Sequence, residues 1–433
     1  MSSIAVATVG LVAMFALLLT GVPVGVAMGV VGLFGLWAAV SESAAIIKLA
    51  VVPFQTITSY DLASLPLFLF MANVFNYSGM GRDLFNLAYK WLGRLPGGVG
   101  LAAIAACGGF SAISASSIAT AATVGAVALP EMKRFKYDDR LATGCIAAGG
   151  TIGTLIPPSG ILIIYGILTE TSIGKLFLAG WIPGMLVVIL YAAVIFIICR
   201  FAPALGPRGE TSTLRERFLA LKGCIEVIGV MLFLLIGLLV GWFTATEAGA
   251  VGSAAAIISS LFRKKLTWEG FTKAIWSSLR TSGMIYGILI GAFMFNYFLA
   301  STGFPTFLSQ TITHLNLSPL GVIGMIILIF LILGTLLDEA AMHVLTIPIF
   351  FPVIQHLGIN PIWFGILTTR LVEVAMISPP LGVTMFVVKG LQPEVPMARI
   401  YQGVIPFLIA DAVSLLLLVF IPELALFLPN LAR

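Results

Sequence analysis

The chain has 433 residues, 60% of them hydrophobic and only 9% charged, with a formal net charge of +5 and a mean hydropathy of +1.11. A soluble domain carries about 25% charged residues, so water is excluded as the main solvent. The scatter of the basic residues along the chain excludes a nucleic-acid surface, the spacings of four cysteines and three histidines exclude a disulfide framework or metal site, and Gly174 and Lys175 run into Leu176, which excludes a Walker-type phosphate loop.

The first apolar run, 4–20, has no Lys or Arg before it, and the first basic residue is Lys48. A secretory leader needs a positive start, so 4–20 is expected to be a retained first helix with its N-terminus outside. Apolar runs at 24–40 and 64–78 predict two more helices. From 81 to 94, Arg82, Asn86, Lys90 and Arg94 recur every four positions opposite Leu84, Phe85, Ala88, Trp91 and Leu92. That pattern predicts a helix lying along the membrane surface.

The next apolar stretch, about 99–130, contains Ser111, Ser114, Ser116 and Ser117. Four serines in seven residues suit the tip of a re-entrant hairpin better than a lipid-facing helix. A basic loop follows, then an apolar run at about 141–168 broken by Pro157 and Pro158, then a helix at 181–199 and a polar linker at 201–223. In the second half, helices fit 227–242, 248–262 and 282–299. A mixed stretch at 302–316 precedes a second hairpin at about 320–352, a second broken run at about 362–388 and a last helix at 404–421.

The halves match by offset. Pro130, Pro157, Pro158 and Gly160 correspond to Pro352, Pro379, Pro380 and Gly382 at 222 residues. Gly29, Pro96, Gly98, Val99, Gly180 and Pro183 correspond to Gly252, Pro319, Gly321, Val322, Gly403 and Pro406 at 223. One inserted residue reconciles the sets. The expected fold is an all-α polytopic membrane protein of two repeats, 1–200 and 224–433, each with five crossings, one re-entrant hairpin and a Pro-Pro-broken helix. Five is odd, so the second repeat starts on the opposite side and the topology is inverted, as in many secondary transporters. The loops this places in the cytoplasm hold 19 of the 23 Lys and Arg residues; Lys48, Lys175 and Arg433 fall outside and Arg370 within a membrane segment. The asymmetry follows the positive-inside rule and leaves both termini outside.

Backbone groups freed by a helix break cost several kcal/mol in hydrocarbon. Such breaks persist where protein, water, ions or substrate satisfy them. The carbonyls ending the first half-helix favour a cation, and the amides opening the second favour an anion. Pro157, Pro158 and Ser159, and Pro379 and Pro380, stand where those second half-helices begin, as candidate substrate contacts. Ser114, Ser116 and Ser117 offer hard oxygen ligands for a small alkali cation, or cap the hairpin turn. Asp338, at the aligned second tip, is the leading acidic cation ligand, since an acid at this depth is expensive; a capping carboxylate is the compatible alternative. Arg370 and Glu373 stand one helical turn apart, and Arg370 either pairs with Glu373 or draws in an anionic substrate. Asp411 is expected to serve helix packing, and Glu247 to cap a helix.

The segments ISASSIAT (113–120), GGTIGTLIPPS (149–159), the pair Tyr165 and Gly166, TSIGKLF (171–177) and ISPPLG (377–382) resemble the large membrane subunit of TRAP, tripartite ATP-independent periplasmic, transporters. The resemblance covers nearly the whole chain. It implies a permease of the bacterial inner membrane, not an enzyme, working with a small four-helix membrane subunit and a soluble periplasmic binding protein. It implies uptake of an organic acid such as a C4-dicarboxylate, keto acid or sialic acid, driven by sodium, through elevator motion of a core against a fixed scaffold. By position, sodium would be held at Ser114, Ser116, Ser117, Gly153 and Thr154 in the first repeat, and at Asp338, Ser378 and neighbouring backbone in the second. Many relatives carry Thr where this chain has Ser378, and Asn where it has Thr384. A stand-alone proton- or sodium-coupled anion carrier is the alternative. Membrane lipids are the remaining expected partner.

Overall fold

The computed structural model describes residues 2–114, 116–314, 318–335, 337–380 and 382–431. The placement of Arg433, and of Ala115, Leu336 and Leu381 within the motifs above, lies outside the described residues. All regular structure among the described residues is helical.

The first half runs α1 (Ser3–Leu19), α2 (Val24–Ala39), α3 (Glu42–Thr58), α4 (Ser64–Tyr77), α5 (Met80–Leu92), α6 (Gly98–Ser114), α7 (Ser117–Arg134), α8 (Asp139–Thr151), α9 (Gly160–Thr169) and α10 (Ile173–Phe201). The linker carries a short helix, α11 (Leu214–Lys222). The second half runs α12 (Ile225–Val240), α13 (Ala245–Phe262), α14 (Trp268–Thr302), α15 (Phe304–His314), α16 (Pro319–Gly334), α17 (Glu339–His356), α18 (Pro361–Ile377), α19 (Val383–Leu391) and α20 (Met397–Phe420), with α21 (Glu423–Leu431) last. The 222-residue offset reappears in these bounds. α1 and α12, α7 and α17, and α8 and α18 each start 222 residues apart. The one unequal pairing sets α3 and α4, bent by 57°, against the single 35-residue α14.

Local chemistry accounts for the ends. Ser116 caps α7 by accepting from the Ala119 amide, and Asn360 caps α18 ahead of Pro361, a good first-turn residue because it has no amide proton to lose. Thr244 and Glu247 form a capping box at the start of α13, which fits the expected cap.

By length and apolarity α10, α13, α14 and α20 each qualify as a membrane span, and the bent pairs α3 with α4 and α11 with α12 raise the count to six. α1, α2, α6, α9 and α16 are apolar but only 10–17 residues long. At 1.5 Å rise per residue these reach about 15–26 Å, short of a hydrocarbon core of about 30 Å. Two helix pairs approach at glycine. A methyl group at Gly144 of α8 would strike the backbone of Gly403 in α20, and one at Gly291 of α14 would strike the backbone of Gly25 in α2. Small residues of this kind let membrane helices touch along their backbones.

Candidate functional site

The first hairpin turns between α6 and α7. The Ser114 and Thr120 hydroxyls lie 2.6 Å apart, and both donate toward the Ser116 carbonyl, at 3.2 Å and 2.9 Å. α8 ends at Thr151, a single 3₁₀ turn covers Ile152–Thr154, and the chain passes through a cis peptide between Pro157 and Pro158 before α9 resumes. The break sits against the hairpin tip. A methyl group at Gly153 would lie 2.9 Å from the Ser116 carbonyl oxygen and 3.0 Å from Thr120 Oγ1. Four of the expected sodium residues, Ser114, Ser116, Gly153 and, through the same turn, Thr154, are therefore gathered. Thr120 joins them. The spacing Ser116 to Thr120, one helical turn, is the signal that points to it. The donor set is hydroxyls and carbonyls, hard oxygen ligands that suit a small alkali cation.

Two hydroxyls of the first half reach carboxylates of the second. Ser117 donates to Glu339 Oε2 at 3.1 Å, and these two residues are themselves 222 apart. They are equivalents under the repeat offset, each the first residue of the returning hairpin helix. Thr154 donates to Glu373 Oε1 at 2.7 Å in a buried bond. The other Glu373 oxygen accepts from Arg370 at 2.7 Å. Arg370 is fully buried; it also donates to Asp411 and to Ser414 Oγ at 3.0 Å. Tyr191 donates to Asp411 at 2.6 Å, and Asp411 Oδ2 is left without a partner. The guanidinium thus lies in a cage built by α10, α18 and α20, joined through Glu373 to the first break. Its pairing with Glu373 is present. Asp411 does more than pack: it shares that charge.

The remaining predicted residues fall elsewhere. Pro157, Pro158 and Ser159 are buried, and Ser159 caps α9 by accepting from the Leu162 amide at 3.3 Å. Pro379 and Pro380, also joined by a cis peptide, are exposed, and the Pro380 carbonyl accepts from the Tyr401 hydroxyl. Ser378 turns back on its own helix, donating to Val374 O at 2.8 Å. Asp338 is exposed and caps α17 through the Ala341 amide at 2.8 Å. It lines a mainly apolar cavity of about 680 Å³ together with Leu337, the turn between α1 and α2, and one face of α14. The structure does not bring Asp338 or Ser378 to the first-hairpin cluster. The acid that reaches that cluster is its neighbour, Glu339. The 222-residue alignment of Glu339 with Ser117 was the signal that could have found it.

Residues 11–424 match the family profile described as the tripartite ATP-independent periplasmic transporter, DctM component. The C4-dicarboxylate TRAP transporter large permease protein of Pseudomonas aeruginosa is 33% identical over 384 residues, 88% of this chain and 89% of that protein. The sialic acid TRAP transporter large permease protein of Vibrio cholerae is 31% identical, covering 96% of each chain. The isethionate TRAP transporter permease protein of Oleidesulfovibrio alaskensis is 30% identical, covering 95% of this chain and 64% of that protein. Among solved structures, the Alcanivorax borkumensis YdaH transporter superposes with a TM-score of 0.59 at 14% identity, covering 88% of this chain and 89% of that one. Neisseria gonorrhoeae MtrF gives 0.58 at 13% identity, covering 87% and 85%. At such identities these two likenesses speak for the fold alone.

Proposed function

We propose a function from one premise: this chain belongs to the DctM-component family of tripartite ATP-independent periplasmic transporters, and it is a transport permease, not an enzyme. It takes up a small organic acid anion, of the C4-dicarboxylate, keto acid or sialic acid kind, across the bacterial inner membrane. Sodium moving down its gradient drives the uptake. A small four-helix membrane subunit and a periplasmic binding protein complete the system, and the binding protein delivers the anion.

The observation that carries the sodium reading is the gathering of Ser114, Ser116, Thr120 and Gly153 oxygens and backbone around one helix break. Ser117 and Thr154 extend that set toward the second half. In the second half the corresponding ligands are Asp338, Ser378 and the carbonyls beside them. The substrate meets the half-helix starts after Pro157 and Pro158 and after Pro379 and Pro380. The two halves form inverted repeats, and the hairpins and broken helices travel as one body against a scaffold that includes α2 and α14. Arg370 contributes to the charge balance of that body through Glu373 and Asp411.

The test is reconstitution of the purified permease in proteoliposomes with a panel of labelled organic acids, adding or omitting the two partner proteins. The proposal expects uptake of one acid class only when both partners are present. Uptake by the permease alone would place it among carriers that need no partners.

A further inference from the structure

The cluster around the first hairpin contains two hydroxyl groups whose protons are already committed. Ser117 gives its proton to Glu339 at 3.1 Å, and Thr154 gives its proton to Glu373 at 2.7 Å. A hydroxyl that donates to a carboxylate turns its lone pairs away from that carboxylate and becomes more electron-rich. It is then a better ligand for a cation, in the way that outer carboxylates orient and strengthen the ligands of bound metals. Both hydroxyls belong to the first half of the chain, and both carboxylates to the second. We infer that Glu339 and Glu373 are positioning residues for the coupling cation: they hold and polarise Ser117 and Thr154 from the opposite repeat, and so make cation affinity in the first half depend on the placement of the second. The inference rests on the reading of the first hairpin as a sodium site.

Three features of the geometry support it. Glu373 is fixed on its far side by Arg370 at 2.7 Å, which is itself held by Asp411 and Ser414, so its free oxygen is aimed and not mobile. Ser117 and Glu339 are equivalents under the repeat offset, and a contact between equivalents lies on the axis relating two repeats. That is where repeat-built transporters place their ions and substrates. The two bonds enter the cluster from different helices, α17 and α18, so a shift of either hairpin or broken helix in the second half changes the field at the first.

The test uses purified full-length permease and follows sodium binding by the sodium-dependent rise in unfolding temperature, with potassium as the control salt. Variants are T154V, S117A, E373Q, E339Q and the doubles T154V/E373Q and S117A/E339Q. Each glutamine keeps the shape and a hydrogen-bond acceptor and removes the charge. The expected result is an increase in half-saturating sodium of about 10–100-fold for E373Q and for E339Q, with each double no weaker than its hydroxyl single, since the two members of a pair act through one contact. In reconstituted uptake the same loss appears in half-saturating sodium and not in the rate at saturating sodium. If T154V and S117A weaken sodium binding while both glutamine variants bind it as the unaltered protein does, the inference is overturned and the sodium site stands. Strictly additive doubles overturn it as well. If no hydroxyl variant changes sodium binding, the sodium site itself is misplaced and the inference falls with it. Should E373Q not fold, because it also meets Arg370, E339Q with S117A decides, since Glu339 lies outside the arginine cage.

Discussion

Replacing Arg370 with Met tests the charge cage. Arg370 is fully buried, as are Glu373 and Asp411. The guanidinium gives one bond to each carboxylate and one to Ser414 at 3.0 Å. Met matches the length and apolar bulk of the stem but leaves two carboxylates without their cation. Each hydrogen bond to a charged group contributes about 1.5–3 kcal/mol, and two are lost. Glu373 keeps the Thr154 hydroxyl and Asp411 keeps that of Tyr191, so the loss is less than for two bare charges. Breaking a buried pair by removing one partner costs about 3–5 kcal/mol, and that is the expected penalty. With an unfolding entropy of about 2.1 cal/mol/K per residue, it corresponds to a fall in melting temperature of roughly 3–6 °C. The assay is size-exclusion of detergent-solubilised protein after heating in steps. The triple variant R370M/E373Q/D411N, which removes both orphaned charges, recovers at least half of the loss. A single R370M variant melting with the unaltered protein would refute the cage as a stabilising element.

Three further outcomes follow from named contacts. Gly144→Val drives a side chain into the backbone of Gly403; overpacking of this kind costs about 1–3 kcal/mol, and the yield of monodisperse protein falls, whereas Gly283→Val, with open space around it, leaves the yield unchanged. Asp338→Asn keeps an acceptor for the Ala341 amide and removes the charge; sodium stimulation of uptake is lost while folding is retained, and stimulation of the original size would remove Asp338 from the second sodium site. A cysteine pair replacing Leu337 and Gly287, which line one cavity between the second hairpin and α14, abolishes uptake on cross-linking and regains it on reduction. The four native cysteines are buried and stay silent; uptake at the original rate in the cross-linked protein would contradict motion of the hairpin against the scaffold.

The repeat was legible because proline and glycine are hard to replace at breaks and close contacts. The matches of Pro157 with Pro379, Pro158 with Pro380 and Gly180 with Gly403 needed no structure. Less was legible where polar residues dilute an apolar pattern. α3 was not foreseen, since Glu42, Ser43, Lys48, Gln55 and Thr56 interrupt its run. α14 begins 14 residues before the predicted helix because Glu269, Lys273 and Arg280 make its first turns read as loop. The serines of the first tip and the break at Gly153 were found from sequence because re-entrant polar tips stand out in apolar surroundings. Glu339 was passed over in favour of Asp338 because adjacent acids are indistinguishable by composition. Only the helix start separates them: Asp338 occupies the capping position and points back to the Ala341 amide, and Glu339, one residue on, faces the opposite hairpin. Asp411 and Tyr191 are 220 residues apart in the chain, and no local pattern links such a pair.

The central claim is that sodium drives this permease. Its most direct measurement is uptake of the delivered anion into proteoliposomes carrying the permease with its membrane partner and binding protein, at equal pH on both sides. An inward sodium gradient is compared with an inward potassium gradient of the same size. The account predicts accumulation above the external concentration with sodium, none with potassium, and collapse of the accumulated anion when a sodium ionophore is added. Equal accumulation under both gradients would contradict it.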